Sequence, residues 1–225
     1  MKTVEESMGL NQASGNQIEA RKEHEEMAPL ALSPTISRAI RFATKTHEIY
    51  QKQRRKGKDI PYITHPLVVG LILARAGASE DVVAAGILHD TIEDSIPEKK
   101  VSSAMLSERF GEAVSQLVES VSESDKTLPW EERKREALEH IKSFSHEALL
   151  VKSADTLGNV SELIDDFERD GDTAFANFNA PKEKIIENYL NIASAILAQW
   201  EENPLRPDLQ NIATSLEQIK NAGVE

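Results

Sequence analysis

The sequence predicts an all-α protein, and three observations carry that prediction. Apolar residues recur at three- and four-residue intervals in one segment after another, no stretch makes a convincing strand, and proline or glycine stands at the boundaries between segments. At 225 residues the chain is long enough for one sizeable domain, while a second full domain would be a squeeze.

Taken in order, residues 1–33 are polar and rich in Gly, Ser and Glu, with Pro29 and Pro34 at their end, so a flexible or weakly helical arm is expected, with His24 a solvated side chain. The domain is expected over residues 34–225. Ile36, Ile40, Phe42, Ala43 and Ile49 predict a helix from Pro34 to Tyr50. Next, QKQRRKGKDIPYITHP places Lys52, Arg54, Arg55, Lys56 and Lys58 within seven residues. Charge runs are usually solvated loops, but this one leads through Gly57 and a Pro-Tyr-Ile turn to His65, which favours a phosphate-holding role. Pro66 suits the first position of the following helix and would fix His65 at its start, and Gly77 would close that helix.

The stretch Asp81 to Asp94, DVVAAGILHDTIED, reads as a helix with Ser79 placed to cap it. Its apolar body gives way to His89, Asp90, Glu93 and Asp94 at one end. Two amphipathic helices separated near Gly111 should follow, with Leu106, Phe110, Val114, Leu117 and Val121 in the core. The loop SESDKTLPW carries Lys126, a lone cation that decides nothing by itself. Trp130 to Ser143 reads as a charged helix with few apolar positions, with His140 and His146 as surface or capping residues. A helix from about Glu147 buries Leu150, Val151, Ala154, Leu157, Val160 and Ile164, and Lys152, Asp155 and Asn159 form a polar row along it. That row is either a structural network or the wall of a site. Residues 166–181 are rich in turn formers, and two more helices complete the chain, the second after Pro204 and ending near Ala222.

The formal net charge of −12 argues against nonspecific nucleic-acid binding. No cysteine is present, so disulfides and thiolate metal sites are excluded, and any metal must be held by nitrogen and oxygen. The N-terminus resembles no signal peptide and no apolar run is long enough to span a membrane, so a soluble, cytoplasmic protein without membrane partners is expected. Its oligomeric state is not readable. No GxGxxG or GxxxxGK[ST] nucleotide loop and no internal repeat occurs.

The carboxylates crowded around His89 repel unless something cationic sits among them, although an acidic helix end is also a common solvated feature. His65 and Asp155, each in an otherwise apolar context, tip the balance. With His89 and Asp90 they make a two-nitrogen, two-oxygen ligand set from three separate predicted helices. Such a set suits Mn²⁺ ahead of Mg²⁺, with Fe²⁺ and Zn²⁺ as alternatives, and leaves positions for water and a substrate oxygen. Glu93 and Asp94, not needed as ligands, are placed to orient a water and move its proton. With the cations of residues 54–56, these residues point to a metal-dependent phosphohydrolase acting on a polyphosphorylated small molecule.

The runs QRRKGKDIPYITHP, AAGILHDTIED and VKSADTLGNVSEL, in that order, resemble the hydrolase domain of the Rel/Spo-type alarmone enzymes, a branch of the HD superfamily, and in particular its small stand-alone hydrolases. The resemblance covers roughly residues 34–200. It implies an HD-domain helical bundle, manganese, and removal of pyrophosphate from the ribose 3′ position of guanosine tetra- or pentaphosphate. It makes His65, His89, Asp90 and Asp155 the metal ligands, Glu93 and Asp94 the catalytic carboxylates, and Arg55, Lys56, Lys126, Asn159 and Tyr189 the substrate contacts. With nothing after residue 225, a hydrolase alone, without the synthetase, is expected. One departure is visible: family members usually carry a histidine where Tyr50 stands, with His47 a turn earlier, so the outer wall of the pocket is expected to differ. Two other readings compete. The same chemistry would serve another phosphorylated nucleotide, such as an adenine alarmone or an NADPH-like dinucleotide, and a non-catalytic metal- or nucleotide-binding helical module would have no need of both Glu93 and Asp94.

Overall fold

The computed structural model describes residues 33–123 and 127–222. The expected N-terminal arm, His24 and Lys126 lie outside the described residues.

Sequence signals set most of the helix boundaries. The Ser33 hydroxyl accepts from the backbone N–H of Ile36 at 3.1 Å and Pro34 occupies the first turn, starting α1 (Pro34–Thr44). The chain then widens into a π-helical turn, Lys45–Tyr50, rather than continuing as a regular α-helix. Thr44 and Thr46 donate back to the carbonyls of Ile40 and Phe42 there, competing with the helical ladder. α2 (Thr64–Arg75) begins two residues before Pro66, so the proline sits third in the helix and His65 second. Gly77, at φ +75°, ends it as expected.

α3 (Glu80–Leu88) is capped by Ser79, whose hydroxyl accepts from Val82 N–H at 3.4 Å. The single helix expected from Asp81 to Asp94 is broken: α3 stops at Leu88, His89 and Asp90 form a turn, and α4 (Thr91–Asp94) follows. Side chains cause the break. His89 Nδ1 lies 2.7 Å from Gly86 O and Thr91 Oγ1 donates to Leu88 O at 2.7 Å, so local side-chain bonds replace the last turn of the ladder.

α5 (Ser103–Phe110) and α6 (Glu112–Val121) meet at Gly111, where φ is +93°. α7 (Trp130–Ile141) precedes α8 (His146–Asp170), which runs further than the sequence suggested before a 3₁₀ turn at Gly171–Phe175. α9 (Lys182–Gln199) and α10 (Arg206–Asn221) complete the chain. Apart from one isolated bridge between Arg54 and Pro61, the described residues contain no strand. No described helix is long and apolar enough to cross a membrane.

α3 is the centre of the packing. Every residue from Val82 to Leu88 is buried, and α1, α2, α6 and α8 all touch it, which is why it is apolar on all sides. α2 and α3 approach closely at Gly70 and Gly86, where an added side chain would overlap Ile87 and Leu73. Gly86→Val is therefore expected to cost about 1–3 kcal/mol by overpacking, read as a lower urea midpoint at unchanged slope; an unchanged midpoint would show that the two helices can move apart freely.

Candidate metal centre and nucleotide cleft

The loop between the π turn and α2 is tied down by its own backbone. Gln53 N–H donates to His47 O at 2.9 Å, Arg55 N–H to Ile60 O at 2.8 Å and Tyr62 N–H to Gln53 O at 3.0 Å, and Gly57 supplies the φ of +73° at the tip. This folding aims Tyr62 and Arg55 inward and delivers His65 at the start of α2.

His65, the His89–Asp90 turn and Asp155 on α8 meet at one point. His65 Nε2 lies 3.2 Å from Asp155 Oδ1, and His89 Nε2 lies 3.7 Å from the same oxygen. Asp90 Oδ2 sits 3.0 Å from His89 Nε2 and 3.9 Å from His65 Nε2. One ligand atom from each of His65, His89 and Asp155 falls within 4.8 Å of the others, a group that does not include Asp90. The bond from His89 Nδ1 to Gly86 O directs Nε2 at the site, where it is buried and makes no directed hydrogen bond. An orphaned imidazole nitrogen facing two carboxylates is the arrangement a divalent cation satisfies. Charge balance agrees. Burial pushes the Asp90 carboxyl up, but His89 and His65 outweigh it and hold the group well below the usual range. Burial likewise pushes the Asp155 carboxyl up, yet the Lys152 ammonium and the two imidazoles bring it far down. Both carboxylates are thus anionic and available as ligands.

The expected catalytic carboxylates lie beside this set on α4. Glu93 Oε1 accepts from the backbone N–H of Glu123 at 2.6 Å. Asp94 Oδ2 accepts from Gln53 Nε2 at 2.9 Å, and Gln53 Oε1 in turn lies 3.2 Å from Nδ1 of the buried His47. Burial pushes the His47 imidazole below its ordinary value, so it stays neutral and can donate to Gln53.

A cavity of about 630 Å³ opens above these residues, within the usual size of a small-molecule site. Arg55 lines it, donating to Asn159 Oδ1 at 2.9 Å and to Glu162 Oε2 at 2.7 Å. Asn159 donates to Asp155 Oδ1 at 2.7 Å, so the amide expected to touch substrate also braces a metal-site carboxylate. Lys56 lies over the Phe178 ring at 4.6 Å. Tyr189 lines the cavity, and burial with the nearby Asp155 charge pushes its hydroxyl up to about 12, so it remains a donor. The cation run is divided: Arg54 also reaches the rim but is tied at 2.9 Å to Glu48 and at 3.3 Å to Asp59, and Lys58 is held 2.5 Å from both Glu162 and Asp166. Tyr50 is absent from the cavity lining and lies instead between Lys45 and Lys99.

The Glu162 bridges carry a pH signature. Burial pushes this carboxyl up, but hydrogen bonds from Arg55 and Lys58 hold it below the ordinary 4.5. A folded-state value below the unfolded one means stabilisation that is complete above 4.5 and fades as pH falls through the folded value. Glu162→Gln should accordingly lower the thermal midpoint at neutral pH, with the gap closing as pH falls below 4.5 and through the folded value. A gap that stays constant across the titration would remove these bridges from the stability of the loop.

Residues 39–185 match the HD domain family. The chain belongs to the HD domain family. Among its curated relatives, the guanosine-3′,5′-bis(diphosphate) 3′-pyrophosphohydrolase MESH1 of Xenopus tropicalis is 41% identical over 130 residues, covering 57% of this chain and 69% of that protein. The Homo sapiens protein of the same name is 40% identical over 127 residues, covering 56% of this chain and 67% of its own length. A 3′-pyrophosphohydrolase of Aquifex aeolicus is 36% identical over 130 residues, which is 57% of this chain but 18% of that much longer protein. The fold is shared with a metazoan ortholog of SpoT described as hydrolysing ppGpp, with a TM-score of 0.63 at 24% identity, covering 85% of this chain and 97% of that one. A Listeria monocytogenes protein gives a TM-score of 0.61 at 31% identity, covering 69% and 97% respectively.

HD domains bind divalent metals, and His65, His89 and Asp155 of this HD domain form a set able to hold one. Several residues around its centre were not singled out by sequence. Tyr62 donates to Asp90 Oδ2 at 2.5 Å, and burial followed by the Asp90 charge keeps the phenol protonated. Its position three residues before His65 was the only available signal. Lys152, which the sequence placed in the polar row without settling its role, bonds Asp155 Oδ2 at 2.9 Å, and although burial opposes its charge, Asp155, Glu123 and Glu93 raise it above the ordinary lysine value. The polar row left open by the sequence is therefore a wall of the site. Arg133 and Lys134, assigned no role from sequence on this charged helix, also line the cavity, both joined to Glu123.

Proposed function

We propose that this HD domain hydrolyses guanosine 3′,5′-bis(diphosphate) at the 3′ position, giving GDP and pyrophosphate, and guanosine pentaphosphate to GTP and pyrophosphate in the same way. The observation that carries the reading is the meeting of His65, His89, Asp90 and Asp155 at the floor of a cation-lined cavity, with Glu93 and Asp94 beside them, in a chain 41% identical to a 3′-pyrophosphohydrolase. The proposed metal ligands are those four residues. Two imidazoles and two carboxylates without thiolate favour Mn²⁺ as the resident ion. When bound, the ion supplies a Lewis acid that lowers the pKa of water and polarises the phosphoryl group.

The chain's own groups do the rest. Glu93 is held by the Glu123 amide and Asp94 by Gln53, so both present a fixed carboxylate to the space above the metal set. Together they orient the attacking water, take its proton, and return one to the ribose 3′ oxygen as the P–O bond breaks. Arg55 and Lys56 offset phosphate charge, with Arg55 kept in place by Asn159 and Glu162. Tyr62 and Lys152 each hold one oxygen of a ligand carboxylate and fix how it faces the site.

The nucleotide can be tested directly by offering guanosine tetraphosphate, its adenosine counterpart and NADPH at equal concentration with manganese present. Preferred hydrolysis of the guanosine compound, with pyrophosphate as co-product, is expected. Faster release of inorganic phosphate from NADPH would transfer the chemistry to a different nucleotide and overturn the reading.

A further inference from the structure

The cavity has two cationic walls, and the residues assigned so far use only one of them. Arg55 and Lys56 come from the loop before α2, whereas Arg133 and Lys134 come from α7, almost eighty residues later, and line the same space. Both members of the α7 pair converge on a single carboxylate: Arg133 Nη1 donates to Glu123 Oε2 at 2.9 Å, and Lys134 Nζ bonds Glu123 Oε1. Glu123 also faces Lys152, so one carboxylate stands against three cations. Arg133 Nε is buried and makes no hydrogen bond. Across from it, Lys56 is bridged to no carboxylate among the described residues and lies on the Phe178 ring. Burial pushes its ammonium down, and the Lys134, Arg55 and Arg133 charges that line the same cavity push it further.

We infer that Arg133 and Lys134, together with Lys56 opposite, form a second phosphate seat that takes the 5′-diphosphate of the nucleotide while its 3′-diphosphate lies at the metal set. The inference rests on the proposed hydrolase reading for the identity of the nucleotide. Its physical basis is independent of that reading: an anion between the walls offsets the charge of the cations that line them. Glu123 occupies the cation pair until the phosphate arrives, keeping both side chains extended and limiting the entropy lost on binding. The same residue's backbone amide holds Glu93, so the remote phosphate and the catalytic carboxylate are anchored to one position of the chain.

The test is calorimetric titration of the full chain with GDP and, separately, with guanosine, comparing the unchanged protein with Arg133→Gln/Lys134→Gln and with the milder Lys134→Gln. The double variant is expected to weaken GDP binding by roughly tenfold or more while guanosine binding holds within about twofold. In turnover of guanosine tetraphosphate it should raise KM by a similar factor and leave kcat within a few-fold. Lys134→Gln, which removes only one charge, should give a smaller shift in the same direction and guards against a folding defect in the pair. GDP binding within twofold of the unchanged protein in both variants, or no GDP binding by the unchanged protein, would overturn the second seat. Loss of GDP affinity in a protein that never turns over guanosine tetraphosphate would sustain the seat and remove the hydrolase reading. Normal turnover with unaffected GDP binding would do the reverse.

Discussion

Asp90→Ala is expected to abolish divalent-metal binding and turnover together. Asp90 is the carboxylate closest to His89 Nε2, at 3.0 Å, and it also accepts the Tyr62 hydroxyl at 2.5 Å. Its removal would delete one of the four proposed ligands and leave the two imidazoles facing Asp155 alone. Loss of even a group that merely orients a ligand typically costs about 10–100-fold in metal affinity, so loss of a ligand itself should exceed that. The variant also strands a half-buried phenol at a cost of up to about 1–3 kcal/mol, which would lower stability for reasons unrelated to metal. Asp90→Asn separates the two effects, since the amide oxygen can still accept from Tyr62 while the charge is gone. It should match Asp90→Ala in lost metal binding and lie nearer the unchanged protein in thermal midpoint. Retained manganese binding in both variants would remove Asp90 from the ligand set.

Glu93→Gln is the second large effect, and it falls on a different parameter. A glutamine at this position keeps an oxygen for the Glu123 amide, so the fold and the metal site should survive. It cannot take a proton from water. Turnover is therefore expected to fall by a factor on the order of 10² or more, with metal affinity within a few-fold. If the variant stays fast, the proton passes through Asp94 and the Gln53–His47 chain behind it instead. If metal binding is lost as well, Glu93 is a ligand and not a base.

The all-α architecture was legible because helix signals act locally: Ser79 caps α3, Gly77 ends α2 and Gly111 separates α5 from α6, each by a bond or dihedral within a few residues. The meeting of His65, His89 and Asp155, a group able to hold a metal, was foreshadowed for a different reason. His65 and Asp155 interrupt apolar runs, and a buried imidazole or carboxylate needs a partner. What could not be read is whatever depends on how helices pack. The break at His89–Asp90 contains neither glycine nor proline and comes from side-chain bonds to Gly86 O and Leu88 O. Periodicity alone continues the helix through it. The inward face of α7 is similar: a basic pair on a charged helix looks solvated until the packing of α7 against α9 turns Arg133 and Lys134 toward Glu123. The same limit applies to the loop cations, where five charges in sequence divide into Arg54 bound outward to Glu48 and Asp59, and Arg55 bound inward to Asn159 and Glu162.

Metal-dependent cleavage at the 3′ position is the centre of this account, and turnover of guanosine tetraphosphate by metal-stripped protein, with and without added Mn²⁺, tests it most directly. Ion-exchange separation of the products should show no reaction without metal, and with manganese the release of GDP and pyrophosphate in equal amounts. Equal turnover with and without metal, or inorganic phosphate in place of pyrophosphate, would contradict it.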